Sequence, residues 1–458
     1  MRLILTVATL VTVVAAVVWW SLPRLVAAMP GRLLYYVPEA VVERVTTPLP
    51  TALPPPTVTV PAAALELALA TATNAPVPTL APTDPPSSLK EPVGEPVGAP
   101  VGAPVGEPIG DTPTPAISPT PAPEATPVPT VSPLPSHVRI DGLPIIPQKF
   151  NNCGPTNMTI VLNYYGVDVN QFDVAAVVRP NYEDRNVSPD ELAGYVNEQT
   201  GLAAAHYAGG DVDLLRALLA AGFPVIIEKG LEPDEATGWM GHYLTVFGYD
   251  DEAAEFLVRD TFMGPWREDG RAGYDDTARM WAQFAGAFIV VYPPERAAEL
   301  ADLLGPEFAE PAAMWQRVRE RARDTVREAP DDSFAWFNLG TALTALAGLR
   351  GDAALYQSAV AAYDQARTLG LPPRMLWYQF GPYDAYLATG RYADALALAE
   401  ATLGSQGGRN VEETYYYQGR ALLATGDETG ARAAFRRVVA LNPASAVGQA
   451  ASEELSAD

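Results

Sequence analysis

The sequence predicts a mixed domain of helices and strands followed by an all-α helical array, with an apolar segment and a proline-rich linker in front of them. Three observations lead to this architecture. Of the 45 prolines, 25 fall between residues 45 and 136. Apolar residues alternate as in buried strands within about 138–294, whereas beyond 294 their spacing is helical. A chain of 458 residues has room for two to four domains.

Residues 1–28 are predicted to be a membrane anchor or a signal segment. Leu3 to Trp20 is an uncharged run of 18 residues, about the length of a helix that crosses a bilayer. Arg2 precedes it and two tryptophans end it, where interfacial aromatics are favoured. We expect an uncleaved, single-pass anchor in the cell membrane with the body outside the cytoplasm. Cleavage near Val26–Ala28 is the alternative, and it would give a secreted protein.

The proline-rich stretch at 45–136 is predicted to be a disordered stalk. It includes the near-repeat EPVG EPVG APVG APVG EPIG. Proline removes a backbone donor and fixes φ, so neither a helix nor a sheet can propagate through it. Few apolar side chains are available to offset the entropy of ordering the chain. The stalk would hold the body away from a membrane surface.

Composition excludes several classes of protein. The chain carries 54 acidic against 30 basic residues, a net charge of -24, which argues against binding nucleic acid. A single cysteine rules out an intramolecular disulfide and a multi-cysteine metal site. With only three histidines, we expect no metal and no cofactor. The cysteine is therefore a buried apolar residue, an intermolecular linker or a reactive thiol.

That cysteine, Cys153, lies at the start of a predicted helix. The chain reads QKFNNCGPTNMTIVLNYYG, with apolar residues at helical spacing from Met158 and a stop at Gly166. The positive end of the helix dipole lowers the pKa of a thiol and favours the nucleophilic thiolate. A buried structural cysteine is the commoner outcome for such a residue.

Three polar residues are candidate partners of the thiol. His242 begins a predicted strand, and a second strand ends at Asp260. If the two strands form a hairpin centred near Asp251, His242 and Asp260 lie opposite each other within two residues, and the carboxylate could orient the imidazole. Gln148 lies five residues before Cys153, so its amide could donate to a developing oxyanion beside the backbone N–H of the cysteine.

These segments resemble the bacteriocin-processing cysteine peptidases, family thirty-nine of the papain-like clan, and more closely its bacterial stand-alone relatives. The resemblance rests on Gln148, Cys153-Gly154-Pro155, the stretch from Gly241 to Tyr249, and Arg259-Asp260-Thr261. It implies a papain-like α+β fold over 138–294. It also implies that Cys153 is the nucleophile, His242 the general base and acid, Asp260 the residue that orients the imidazole and Gln148 part of the oxyanion hole. No Walker-type loop for an ATP-binding cassette occurs.

The C-terminal third is predicted to be helical throughout, with bridging helices at 295–330 and repeats at 331–458. Small and aromatic residues recur at helical spacing, as at Gly340, Tyr363, Gly419 and Phe435. These spacings and the segment LATGRYADAL resemble the tetratricopeptide repeat. Such an array presents a face for a peptide or protein partner, or serves only as a packing platform. Its aromatic residues, Trp377, Tyr378 and Tyr415–Tyr417, are expected to pack between helices.

The leading hypothesis is a membrane-tethered, extracytoplasmic cysteine peptidase that hydrolyses peptide bonds by a Cys–His–Asp mechanism, with repeats that bind a protein or peptide. Two alternatives stay open. One is a catalytically inactive papain-like scaffold that binds peptides. The other is a cell-wall amidase or acyltransferase that uses the same catalytic set, because the acyl-enzyme step is common to both chemistries.

Overall fold

A computed structural model describes residues 20, 21, 26, 52–70, 133–234, 237–405 and 407–457. The predicted membrane or signal segment, apart from three residues, and the proline-rich residues 71–132 lie outside this part of the chain. The described residues up to Ala70 and from Leu134 onward belong to one compact unit. Among them, no helix has the length and apolarity needed to cross a bilayer.

The first domain is built on an antiparallel sheet. Its strands are β1 (His137–Arg139), β2 (Ala203–Tyr207), β3 (Val225–Leu231), β4 (Met240–Asp250), β5 (Glu255–Arg259), β6 (Gly270–Gly273) and β7 (Phe288–Tyr292). They lie in the order β2-β7-β3-β4-β5-β6, and β1 pairs with the end of β4. The central strand β3 is buried along its whole length, because helices and the C-terminal region cover the sheet.

Five helices belong to the described residues of this domain. They are α2 (Cys153–Tyr164), α3 (Gln171–Val178), α4 (Pro189–Gln199), α5 (Val212–Ala220) and α6 (Tyr274–Ala282). Helix α2 is buried from Gly154 to Leu162 and packs against β4, where Gly154 meets the ring of Tyr243. The mixture of helices and strands agrees with the predicted α+β class.

The hairpin of β4 and β5 has a different register from the symmetric hairpin of the sequence analysis. Asp250 pairs with Glu255 at the turn, and Thr245 pairs with Arg259. A bulge at Phe247 places two residues of β4 opposite one residue of β5. Asp260, one residue beyond β5, therefore lies about two residues away from a position directly opposite His242.

The C-terminal region is all helical. It comprises α7 (Ala297–Leu304), α8 (Pro311–Glu328), α9 (Ser333–Arg350), α10 (Ala353–Leu369), α11 (Gly381–Ala388), α12 (Tyr392–Gly404), α13 (Glu412–Ala424), α14 (Glu428–Leu441) and α15 (Ala446–Ser456). A Cβ on Gly340 would lie 2.7 Å from the ring of Tyr363, and one on Gly419 would lie 2.6 Å from Phe435. Glycine thus permits the close helix packing that the repeat pattern predicts, whereas the tetratricopeptide assignment itself stays a prediction.

Part of the predicted disordered stalk is ordered. Residues 62–69 form helix α1 (Ala62–Leu69), and the preceding residues pack on the helical region. Leu53 is 5% exposed and Ala68 is completely buried. These apolar side chains are buried against the helical region, which also donates hydrogen bonds to this segment. Both contributions offset the conformational entropy that the segment loses when it becomes ordered, which the composition alone did not indicate. The disorder prediction is therefore wrong for residues 52–70.

Candidate active site

Cys153 is the first residue of helix α2, as predicted. The entry into the helix is tight, because Asn151 has a left-handed backbone with φ of 55° and Asn152 is the N-cap residue. Pro155 lies in the first turn, where a missing N–H costs nothing. The thiol is half-buried. It is therefore held at the positive end of the helix and keeps access to solvent.

A network of buried amides fixes the loop in front of the thiol. The side chain of Asn152 donates to Gln171 Oε1 over 3.1 Å and accepts from Arg179 over 2.5 Å. Gln171 Oε1 also accepts from the backbone N–H of Lys149 at 2.7 Å and from Thr156 Oγ1 at 3.0 Å. Helix α3 and the residue after it therefore hold both ends of the segment that carries the cysteine.

His242 and Asp260 form a direct pair beside the thiol. His242 Nε2 lies 3.0 Å from Asp260 Oδ1. The same carboxylate oxygen accepts the backbone N–H groups of Phe262 at 2.9 Å and Met263 at 2.8 Å, so the turn after β5 fixes its position. Because Nε2 faces the carboxylate, Nδ1 is the ring nitrogen that is free for the hydrogen bond between His242 and Cys153.

The three groups shift one another's pKa values. Burial raises the pKa of the Cys153 thiol, but the hydrogen bond and charge of His242 and the backbone of Tyr243 and Gly154 outweigh it, so the net pKa is lowered. Burial lowers the pKa of His242, yet the charge and hydrogen bond of Asp260 and the contact with Cys153 raise it to about 9. The pKa of Asp260 falls to about 2, since His242 and two backbone N–H groups outweigh its burial. These directions favour a thiolate beside an imidazolium.

Gln148 is joined to the same site through Thr261, the residue after Asp260. Its backbone N–H donates to the carbonyl of Thr261 at 2.9 Å, and Thr261 Oγ1 donates to Gln148 Oε1 at 2.8 Å. With the amide oxygen committed to Thr261, Nε2 is the end of the side chain that can donate to a ligand. The geometry thus brings all four predicted residues to one place.

The sequence analysis missed the residue that joins these segments. Asn157 Nδ2 donates to the carbonyls of Cys153 at 2.9 Å and Tyr243 at 2.8 Å, and it lies 3.3 Å from Thr261 Oγ1. Its Oδ1 accepts from Thr245 Oγ1 at 2.8 Å. Asn157 is buried and lies one helical turn after Cys153, and this i, i+4 spacing is the signal that could have identified it.

A buried carboxylic acid lies close to the thiol and was also missed. Glu228 of β3 pairs across the sheet with Tyr243, next to the Lys229–His242 pair. It is 6% exposed. Burial and the negative charge of Cys153 raise its pKa well above the usual range, although a hydrogen bond with Tyr243 lowers it. The raised pKa disfavours a second negative charge beside an ionised Cys153.

The helical region forms one wall of the site, in contrast to the expectation that its aromatics pack only between helices. A Cβ on Gly241, the residue before His242, would lie 3.0 Å from the ring of Tyr378. Tyr378 also packs edge-on against Trp239 and Phe284. Arg374 donates to the carbonyl of Thr237 at 2.6 Å, which fixes the segment before β4.

Tyr378 is close enough to the thiol for their charges to interact. Burial raises its pKa to about 12, with a further rise from Cys153, while Arg374, Arg185 and a hydrogen bond from Gly241 act in the opposite direction. Tyr378 is half-buried. Its hydroxyl is therefore a polar group that the helical region contributes to the edge of the site.

The other two histidines lie beside aspartates outside this group of residues. His206 Nδ1 lies 2.6 Å from Asp190, and His137 lies 3.8 Å from Asp250. Within the described residues, no three His, Cys, Asp or Glu side chains are grouped so that they could hold a metal ion.

A half-buried thiol at a helix N-terminus, an imidazole paired with a carboxylate and a nearby amide donor are the groups that thiol-based acyl transfer requires. Residues 140–290 match the family described as "Peptidase_C39 like family". This part of the chain is thus a C39-like domain, followed by the helical region. No curated protein matches the chain.

Three solved structures are similar to this chain. A C39-like peptidase from Bacillus anthracis is 17% identical, with a TM-score of 0.29, and the match covers 34% of this chain and 96% of that one. The peptidase domain of Streptococcus ComA, a bifunctional ABC transporter of a quorum-sensing pathway, is 16% identical, with a TM-score of 0.27 and coverage of 33% and 99%. A double-glycine-motif protease from an AMS/PCAT transporter, in complex with a leader peptide, is 20% identical, with a TM-score of 0.24 and coverage of 34% and 94%.

Proposed function

We propose that the protein is a cysteine peptidase that hydrolyses peptide bonds through Cys153, His242 and Asp260. The observation that carries the proposal is the 3.0 Å contact between His242 Nε2 and Asp260, which leaves Nδ1 for the thiol at the start of α2. The match of residues 140–290 to the C39-like family supports the same chemistry. The substrate is a peptide or a protein segment.

In this mechanism the Cys153 thiolate attacks the carbonyl carbon of the scissile bond. The Nε2 group of Gln148 and the backbone N–H of Cys153, a first-turn amide without an acceptor inside the helix, donate to the oxyanion. The imidazolium of His242 gives its proton to the leaving amine, and a water molecule that His242 deprotonates then hydrolyses the thioester. Asp260 holds the ring in the required orientation throughout.

The cellular setting is part of the proposal. The uncharged run from Leu3 to Trp20 supports a membrane-tethered protein whose body is outside the cytoplasm, with secretion after cleavage as the alternative. The helix pairs after residue 331 would act as tetratricopeptide-like repeats.

The first test compares hydrolysis of a mixed peptide library by the wild-type chain and by two variants. Cys153→Ala removes the nucleophile and should abolish cleavage. Gln148→Ala should lower kcat by about 10²–10³-fold, as loss of one oxyanion donor does elsewhere. Thr200→Ala, a substitution in the same domain away from the site, should behave as the wild type. Cleavage that survives Cys153→Ala would refute the proposal.

The two rival functions give different products in the same experiment. An acyltransferase or amidase forms an acyl-enzyme at Cys153 but passes the acyl group to an added amine, or acts on cell-wall peptides rather than on linear ones. An inactive scaffold binds peptides without turnover. Because Cys153 is the only cysteine, a thioester or an alkylated thiol is read from the mass of the intact chain.

A further inference from the structure

Part of the proline-rich stretch lies against the helical region. Residues 53–57, Leu-Pro-Pro-Pro-Thr, have neither helix nor strand structure, and helix α1 follows them onto α10. We name residues 53–57 the strap. The surface beneath it, formed by Arg367, Leu371, Tyr386 and Asp394, is the strap groove.

Both backbone donors of the strap and two of its carbonyls have hydrogen-bond partners on the helical region. Three of its five residues are prolines without an N–H, so only Leu53 and Thr57 can donate. The Leu53 N–H donates to the carbonyl of Leu371 at 2.9 Å, and the Thr57 N–H donates to Asp394 Oδ1 at 2.9 Å. Arg367 supplies donors to the carbonyls of Pro54 and Pro55, each at 2.9 Å. The groove therefore matches a proline-rich backbone, which accepts hydrogen bonds but seldom donates them.

The groove recognises one side chain by its hydroxyl. Thr57 Oγ1 donates to Asp394 Oδ2 at 2.6 Å, so Asp394 binds both the side chain and the backbone of this residue. These contacts help to lower the pKa of Asp394 despite its burial. At the other end of the strap, Leu53 is almost fully buried in the apolar core of the helical region.

Two charged side chains below the strap direct hydrogen-bonding groups towards it. Arg367 NH1 contacts Tyr386 at 2.7 Å and Asp394 at 3.0 Å, while its Nε and NH2 groups point to the strap. Arg367 and Asp394 are 3% and 1% exposed. An occupant removes these two charges from water, and unsatisfied buried charges are costly, so the groove favours an occupant with carbonyls opposite Arg367 and donors opposite Asp394.

We propose that the strap groove is a binding site for extended proline-rich peptides with a leading apolar residue and a trailing threonine, and that residues 53–57 occupy it in cis. The inference is independent of the proposed peptidase function. It means that a partner peptide reaches this groove only by displacing the strap, whose effective concentration is high because it belongs to the same chain.

The proline-rich stretch is bound to the body at further points besides the strap. Arg319 donates to the carbonyl of Ala70 at 2.6 Å, just after α1. Tyr249 donates to the carbonyl of Pro135 at 2.7 Å. The chain is therefore bound to the same compact unit before and after residues 71–132.

The proposal is tested with a fluorescein-labelled peptide of residues 52–60 and full-length chains, by fluorescence anisotropy. Thr57→Ala weakens the chain's own strap, because it removes the hydroxyl contact with Asp394. The labelled peptide, which keeps its threonine, should then bind at least about fivefold more tightly than to the wild-type chain, given the strength of a hydrogen bond to a charged group. A peptide with alanine at the same position should lose this gain.

Thr59→Ala is the matched control, since Thr59 is exposed and lies two residues further along. It should bind the peptide as the wild type does. Equal affinity of the wild-type and Thr57→Ala chains overturns the proposal. If the labelled peptide binds only when a dimer of the full-length chain dissociates, the cis assignment is overturned, because the strap would then occupy the groove of a second copy.

Hydrogen exchange tests the wild-type chain without any substitution. Between Ala52 and Val58 only Leu53 and Thr57 carry amide hydrogens, and both donate within the groove. Both should exchange at least about 10-fold more slowly than in the free peptide. Exchange at the rate of the free peptide overturns the proposal.

Discussion

The candidate active site and the helical region both bury groups of opposite charge within hydrogen-bond distance of each other. They differ in the numbers of positive and negative groups that they contain. In the candidate active site, the pair His242–Asp260 lies beside a half-buried thiol. In the helical region, two aspartates and two arginines form a compact network, which consists of Asp364, Arg367, Arg391 and Asp394. The network has equal numbers of positive and negative groups.

The difference separates a structural use of charge from a reactive one. In the helical network every charge has a buried partner of opposite sign, and Tyr386 adds a 2.6 Å hydrogen bond to Asp364. In the active site, the imidazole is shared between a carboxylate and a thiol, and the shared charge displaces the pKa values of all three groups. Damage to the network should therefore cost stability, whereas damage to the site should change reactivity.

The largest expected effect follows the removal of the imidazole. His242→Ala leaves only the backbone groups to oppose burial, so the pKa of the Cys153 thiol should rise. Alkylation by iodoacetamide near pH 7 should slow by at least about 10-fold, and peptide hydrolysis should fall by about 10³-fold or more. The measurement is the alkylation rate as a function of pH, followed by the mass of the intact chain.

His206→Ala is the matched control, because His206 also pairs with an aspartate but lies outside the site. Its alkylation profile should coincide with that of the wild type.

The wild-type hydrolysis rate should decline above about pH 9, where His242 loses its proton. A thiol whose pH profile is unchanged in His242→Ala would contradict the pairing.

The second effect is on stability and concerns the helical network. Asp364→Asn removes one buried negative charge and leaves two arginines opposite one aspartate. Breaking a buried ion pair in this way costs about 3–5 kcal/mol, which urea denaturation can measure. Asp331→Asn, at an exposed position, should cost less than about 0.5 kcal/mol. If Asp364→Asn left the free energy of unfolding unchanged but altered the thiol alkylation profile, the comparison between the two regions would fail.

The contrast also explains what could be predicted from the sequence. Cys153 and Gln148 lie five residues apart and mark one helix entry, and the hairpin brings His242 to Asp260. Local patterns were therefore sufficient to select these four residues as candidates, whereas their catalytic roles stay a prediction. The bulge at Phe247 was not predictable, because alternation along a strand does not reveal an extra residue. Two further features depend on contacts between residues that are far apart in the sequence. They are the docking of residues 52–70 and the position of Tyr378 beside Gly241, and neither local composition nor helical periodicity predicts such contacts.

The third effect is smaller and concerns the contact between the two regions. Tyr378→Phe keeps the ring against Gly241 but removes the hydroxyl at the edge of the site. Loss of one hydrogen bond to a substrate should raise KM by about 2–10-fold and leave kcat within about twofold. Tyr416→Phe, in the same helical region, should change neither constant. A fall in kcat with an unchanged KM would show instead that Tyr378 acts on the reacting groups.

A cluster of carboxylates lies at the contact between the C39-like domain and the helical region, away from the candidate active site. It consists of Asp184 and Glu191 of the C39-like domain and Glu412 and Glu413 of helix α13, with Arg179 as a nearby cation. Asn186 donates to Glu413 at 2.9 Å, across the contact. Burial raises the pKa of each carboxyl, and mutual repulsion adds to this rise for Asp184, Glu191 and Glu413.

The smallest effect concerns how this cluster responds to pH. The pKa of Glu191 rises from its ordinary 4.5 to about 7, so the folded state binds a proton that the unfolded state has lost. The stability from this proton is full below about pH 4.5 and is lost as the pH rises through about 7. Glu412→Gln removes the negative charge that helps to raise the pKa of Glu191, and it should raise Tm at pH 8 by about 2–4 °C, but not at pH 4.5. The exposed control Glu400→Gln should leave Tm unchanged at both values. An equal rise for Glu412→Gln at both pH values would mean that repulsion is not the cause, because the neutral carboxyls of the acidic sample do not repel one another.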